Sequence, residues 1–139
     1  MPPLNKVNVF VQDIAQGVHN LATGALTIFL TTLANVPTSA STVLAGITQI
    51  AYTNLSTRLC TTTSCVQTGG LLKLLIVDLV LTATGAVATF REVGLYNDTP
   101  TSPADPIIGW YDYGSDVTLA NGETFTIDFD GTNGVLTIQ

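Results

Sequence analysis

From Phe90 to Gln139 the chain reads as run after run of alternating apolar and polar residues, separated by Gly, Asn, Asp and Pro. In Glu123-Thr124-Phe125-Thr126-Ile127-Asp128-Phe129 the side chains of Phe125, Ile127 and Phe129 fall on one face, with Glu123, Thr124, Thr126 and Asp128 supplying the polar positions around them. That period of two belongs to a strand with one buried face. Such a face requires a second layer, so the pattern predicts a mainly β protein in which antiparallel strands pack as a sandwich of the jelly-roll kind.

The remaining elements follow from the same reading. Ala25 to Thr32 has the β-branched and aromatic content of a strand and is stopped by Asn35-Val36-Pro37. Ile47 to Tyr52 and Thr57 to Gln67 are weaker strand candidates, and Ser41 to Ala45 has room for one turn of helix. The run Leu71 to Leu81 suits either a buried helix or a doubly buried strand, and its flanking Gly69-Gly70 and its Ile76, Val77 and Val80 favour the strand. Further strands are expected over Val87 to Tyr96, Ile107 to Tyr113, Val117 to Leu119, Glu123 to Phe129 and Val135 to Ile138. Gly114-Ser115, Asn121-Gly122 and residues 130–134 are read as turns, and the proline-rich stretch from Asn97 to Pro106 as a loop that cannot pair regularly. One short N-terminal helix is predicted over Asn8 to Val18, with Asn8 as its cap and Gly17 near its end. No internal repeat or linker divides the 139 residues, so 1–139 is expected to form a single domain, with residues 1–10 set apart as an N-terminal arm.

Charged residues make up 10% of the sequence against about 25% in an average soluble protein, which suggests a surface largely covered by neighbours. Ten acids against four bases give a net charge of −6, a balance that the phosphate backbone of a nucleic acid would repel. The longest apolar run contains Lys73 and Asp78 and is about half the ~20 residues of a membrane-spanning helix, so no membrane partner is expected. The opening Met1-Pro2-Pro3-Leu4-Asn5-Lys6 has no secretory signal pattern. Cys60 and Cys65 can close a short loop, but they are expected to be free thiols.

Reactive constellations are sparse. His19 is the one histidine and has no recognisable nucleophile turn beside it; a structural role, hydrogen bonding the chain as it leaves the helix, is the expectation. Asp128, Asp130 and Asn133 place oxygen ligands close together but lack the rest of a calcium loop, so a solvated turn is favoured and no metal or other cofactor is expected. Asp112 and Asp116 beside Trp110, Tyr111 and Tyr113 suggest a carboxylate pair for glycoside hydrolysis next to sugar-stacking aromatics, yet alternation puts Trp110 and Asp112 on one face and Tyr111 and Tyr113 on the other. The chain is therefore not expected to be an enzyme.

Leu95-Tyr96-Asn97-Asp98-Thr99, the stretch Ile108-Gly109-Trp110-Tyr111-Asp112-Tyr113-Gly114-Ser115, and Leu119 to Phe129 together resemble small virion structural proteins of tailed double-stranded DNA bacteriophages, of the capsid decoration (cement) or head-fibre type. Gly17-Val18-His19-Asn20-Leu21, Asn35-Val36-Pro37 and Ser41 to Ala45 are similar to the same group, and the sequence departs from it between Tyr52 and Gln67. The resemblance implies a protein of the virion surface, assembled in the host cytoplasm, that binds the exterior of the capsid where major capsid protein subunits meet. Its expected partners are the major capsid protein and further copies of itself, as a dimer or trimer. Trp110, Tyr111, Tyr113, Phe10 and the loop prolines Pro100, Pro103 and Pro106 are the candidate interface residues. The alternative is a tail or head fibre module that binds a host receptor or glycan on an aromatic platform.

Overall fold

A computed structural model describes all 139 residues. The fold is mainly β and sandwich-like, with antiparallel strands and one short helix, as the alternation requires. In chain order the elements are β1 (Asn5–Lys6), α1 (Val9–Ala15), β2 (Leu26–Thr31), β3 (Thr62–Thr68), β4 (Leu71–Ile76), β5 (Leu79–Thr82), β6 (Val87–Asn97), β7 (Ile107–Leu119), β8 (Thr124–Ile127) and β9 (Leu136–Ile138). Single 3₁₀ turns lie at Leu33–Asn35 and Leu44–Gly46. Hydrogen bonding orders the strands as β1-β7-β6-β2, β3-β4-β9 and β5-β8.

One apolar core runs through these layers and takes residues from Val7 to Val135. Its centre is β2, in which all six residues of Leu-Thr-Ile-Phe-Leu-Thr are buried, so both faces of the strand are covered. Phe29 lies opposite Gly94 of β6, and a Cβ at Gly94 would run into the Phe29 ring. The glycine is thus the space in which that ring lies.

The helix ends as the sequence suggests, though earlier than Val18. Gly17 takes a positive φ of 73°, its N–H donates to the Ile14 carbonyl, and the Val18 N–H donates to Asp13. This is the paired closure that a left-handed glycine permits at a helix C-terminus. Asn8 precedes the helix without making a side-chain cap.

Several boundaries differ from the sequence reading for identifiable reasons. Residues 47–52 form no strand and instead run along the outer edge of β2. There the Ile50 N–H donates to the Leu30 carbonyl and the Leu30 N–H to the Tyr52 hydroxyl. A phenol in place of a backbone carbonyl breaks the ladder. Further along that edge, the Cys60 N–H reaches the Leu26 carbonyl, and the Arg58 guanidinium lies 3.7 Å above the Tyr52 ring while donating to the Ile28 carbonyl. The run from Leu71 to Leu81 is strand, as favoured, but divides into β4 and β5 at Val77-Asp78, where Asp78 accepts the Phe129 N–H at 2.9 Å. Gly114, read as a turn, lies inside β7; its φ of 91° bends a strand that continues to Leu119. Residues 1–10 are not a free arm, because Asn5 and Lys6 pair with Trp110 and Gly109 while Val7 and Phe10 are buried in the chain's own core.

Candidate interface

Strand β7 carries the three β-strand aromatics singled out in the sequence, with Tyr111 and Tyr113 on one face and Trp110 on the other. Tyr111 is buried and packs against Phe129 with ring centres 6.4 Å apart; burial pushes its phenol well above the ordinary value. Tyr113, two residues on, is 44% exposed and stands edge-on to Phe125 at 5.0 Å. Trp110 is half-buried, in register with Asn5 and Gly94. Of the proposed aromatic contacts, Tyr111 and Phe10 are therefore core side chains, and Tyr113 is the one presented outward. The prolines divide in the same way. Pro103 is exposed after a cis bond from Ser102, Pro100 is half-buried, and Pro106 is buried, with its carbonyl accepting the Asn97 N–H.

The carboxylates brought together are Asp112 and Glu92, rather than Asp112 and Asp116. Glu92, on β6, lies directly opposite Asp112 of β7 on one side and Thr31 of β2 on the other. Arg91 grips Asp112 with two bonds of 2.8 and 3.2 Å, and the Gly114 N–H adds a third at 2.7 Å; these donors hold the Asp112 carboxyl below its usual range. Glu92 is 0% exposed, and neither of its oxygens has a hydrogen-bond partner. Burial, followed by the charge of Asp112, pushes its pKa up, against a smaller pull from Arg91, whose Nε is 3.8 Å away. A raised and a lowered carboxyl side by side suit acid–base chemistry only where a substrate reaches both, and Glu92 is closed off from solvent. Sequence reasoning passed over Glu92; the signal was a charged Arg-Glu pair within the apolar strand Phe90 to Leu95.

His19 is buried behind α1. Its Nδ1 meets the Asn97 amide at 3.4 Å, its Nε2 is 3.9 Å from Asp13, and the Phe10 ring centre is 5.3 Å away. Burial lowers its pKa, with Asp13 acting in the opposite sense. Its polar partners are thus a β6 amide and the helix carboxylate, rather than the chain leaving the helix. Asn97 is the junction of this cluster, since its Oδ1 also accepts the Thr99 N–H.

In the loop before β9, Asp130 accepts bonds from the Thr132 and Asn133 N–H groups and from the Asn133 amide at 2.7 to 2.9 Å. Those donors lower its pKa and use its oxygens within the turn itself. A cleft of about 560 Å³ separates this loop from residues 1–4 and has Tyr111 and Phe129 in its wall. The structure contains no group of three or more His, Cys, Asp or Glu residues able to hold a metal ion, and no helix long and apolar enough to cross a membrane. Cys60 and Cys65 are free; burial raises both thiols, Cys60 to about 12.

The β3–β4 hairpin has a different character. Strand β3 lies at the end of its sheet and bonds only to β4, leaving its outer row of backbone groups without a partner in the chain. Its sequence, Thr-Thr-Ser-Cys-Val-Gln-Thr, carries no charge, and Val66, 64% exposed, is the most exposed large apolar side chain of the protein.

Comparison with protein-family models, with curated proteins and with solved structures finds no match to this chain.

Proposed function

We propose that the protein is a structural component of a tailed-phage virion that binds the exterior of the capsid and reinforces contacts between major capsid protein subunits. The observation that carries this reading is Tyr113: an aromatic side chain, 44% exposed on a long strand and braced by Phe125, in a chain of which 10% of the residues are charged. Aromatic anchors on rigid elements are what protein contacts use, and symmetry-repeated copies add avidity to contacts that are individually weak. The sequence resemblance to decoration proteins supports the same assignment. The glycan-platform alternative would need neighbouring aromatics to share an exposed face. Trp110 and Tyr113 stand on opposite faces of β7, and Tyr111 is buried.

The test is to incubate the purified protein with undecorated phage heads, sediment them and count the bound copies. The expected result is saturation at a simple ratio to the major capsid protein, with Tyr113→Ala weakening binding about tenfold or more, the scale of an interface anchor. Absence from heads together with low-copy recovery in tails would overturn the capsid reading in favour of a fibre module.

A further inference from the structure

We infer that the free edge of β3 is a self-association site, at which two copies pair their β3 strands antiparallel about a two-fold axis through Val66. This inference does not depend on the capsid reading and is tested without heads.

An exposed strand edge is a template for another strand, and proteins that remain monomeric defend it with charges, prolines, bulges or a covering segment. The other long edges here have such defences. The outer edge of β2 is covered by residues 47–60. Beyond its short pairing with β1, the outer edge of β7 carries Asp112, the positive-φ Gly114 and Asp116. Strand β3 has one irregularity, a register shift between Thr62 and Ser64, after which Ser64 to Thr68 runs regularly with neither charge nor proline.

The charge distribution selects a second copy as the occupant. All of the acids except Asp13 lie at or beyond Asp78, so residues 14–77 contain no acid and carry Arg58 and Lys73. Pairing through β3 brings two acid-free hairpins together, whereas contact through the β7 and β8 region would oppose surfaces rich in acid. In the register that uses the whole regular segment, Val66 faces its symmetry mate, Cys65 faces Gln67 and Ser64 faces Thr68. No like charges meet, and a hydroxyl pair and a β-branched pair form on the ladder. Lys73, opposite Val66 on β4, would be three strand spacings from its mate, roughly 14 Å and beyond the ~10 Å screening length. The two sheets join as β9-β4-β3-β3-β4-β9, and because pairing about a two-fold axis uses the same β3 edge of both copies, assembly through it closes at two. A five-residue ladder is smaller than a standard interface, so dissociation on the order of 0.1 mM is expected in free solution.

Sedimentation of the intact chain from micromolar to millimolar concentration should show the mass rising from 14.6 kDa toward twice that value. Val66→Lys, which aligns four lysines across the joined sheet, should hold it at the monomer mass. Should that variant disturb the hairpin, Val66→Cys in a Cys65→Ser background gives an independent reading. Opposed strand residues have Cα atoms about 4.5–5.5 Å apart, within disulfide reach. Mild oxidation should therefore cross-link this variant at least tenfold faster than a control with Val80→Cys, at a position that is 50% exposed. A wild-type chain that stays monomeric to millimolar concentration, a trimer mass, or cross-linking at position 66 no faster than at position 80 would overturn the inference.

Discussion

The β2–β6–β7 sheet and the β3–β4 hairpin are made by one chain under opposite rules. In the sheet, β2 is buried on both faces, its edge is covered, and a charged pair and a buried glutamate lie within the ladder. In the hairpin, β3 has no buried residue, β4 buries only Leu74 and Ile76, and an uncharged edge is open. Dense non-local contact makes the first a scaffold; sparse contact and unspent hydrogen-bonding capacity leave the second available for a neighbour. The placement of charge follows the same division: the hairpin carries no acid, while Glu92, Asp112 and Asp116 lie on β6 and β7.

Substitutions should separate the two regions sharply, and the largest effect is expected at the centre of the scaffold. Phe29→Ala should lower the unfolding free energy by about 3–5 kcal/mol in a denaturant titration, since it empties the space that Gly94 leaves for the ring. A loss below about 1 kcal/mol would show that the sheet is not the packed element. Asn97→Ala should follow, at about 1–3 kcal/mol, because it leaves the Thr99 N–H and buried His19 without their partner.

A pH effect comes next. Glu92 binds its proton more tightly in the folded chain than at its ordinary value of 4.5. Its contribution is therefore most favourable at low pH and is lost as pH rises from about that value through the raised folded one. Asp112 and Asp130 act in the opposite direction, losing stability as pH falls below 3.8, and His19, held neutral by burial, loses it as pH falls below 6.5. Comparing Tm for the wild type and Glu92→Gln across pH 4 to 8 isolates the glutamate. The variant should gain on the wild type steadily as pH rises, and a constant difference would contradict its assignment. The smallest effect belongs to the hairpin: Val66→Ser should change the unfolding free energy of the dilute protein by no more than about 0.5 kcal/mol.

Much of the scaffold was legible because strand alternation is local: β6, β8 and the first half of β7 lie where the period of two puts them. The elements that escaped were those fixed by distant partners. Nothing near residues 47–52 announces that they will cover β2, since the Leu30 groups that hold them come from elsewhere in the chain. Asp78 divides an apolar run by reaching Phe129, and Gly114 has turn chemistry while a long strand carries it through. For the candidate interface, alternation correctly separated Trp110 from Tyr111 and Tyr113. It could not say which face would be covered, so Tyr111 stood among the candidate contacts, while Phe10 stood there as part of residues 1–10 read as an arm. The open edge of β3 was invisible for the same reason, because an edge is defined by which strand fails to arrive.

The most direct test is amide hydrogen exchange on the wild-type protein at micromolar and near-millimolar concentration, read at residues 26–31 and 62–68. The account predicts that the β2 amides exchange only through global unfolding at both concentrations, while the outward amides of β3 exchange rapidly in dilute solution and become protected when concentrated. Equal protection of β3 and β2 in dilute protein, or β3 amides that stay open at the higher concentration, would contradict it.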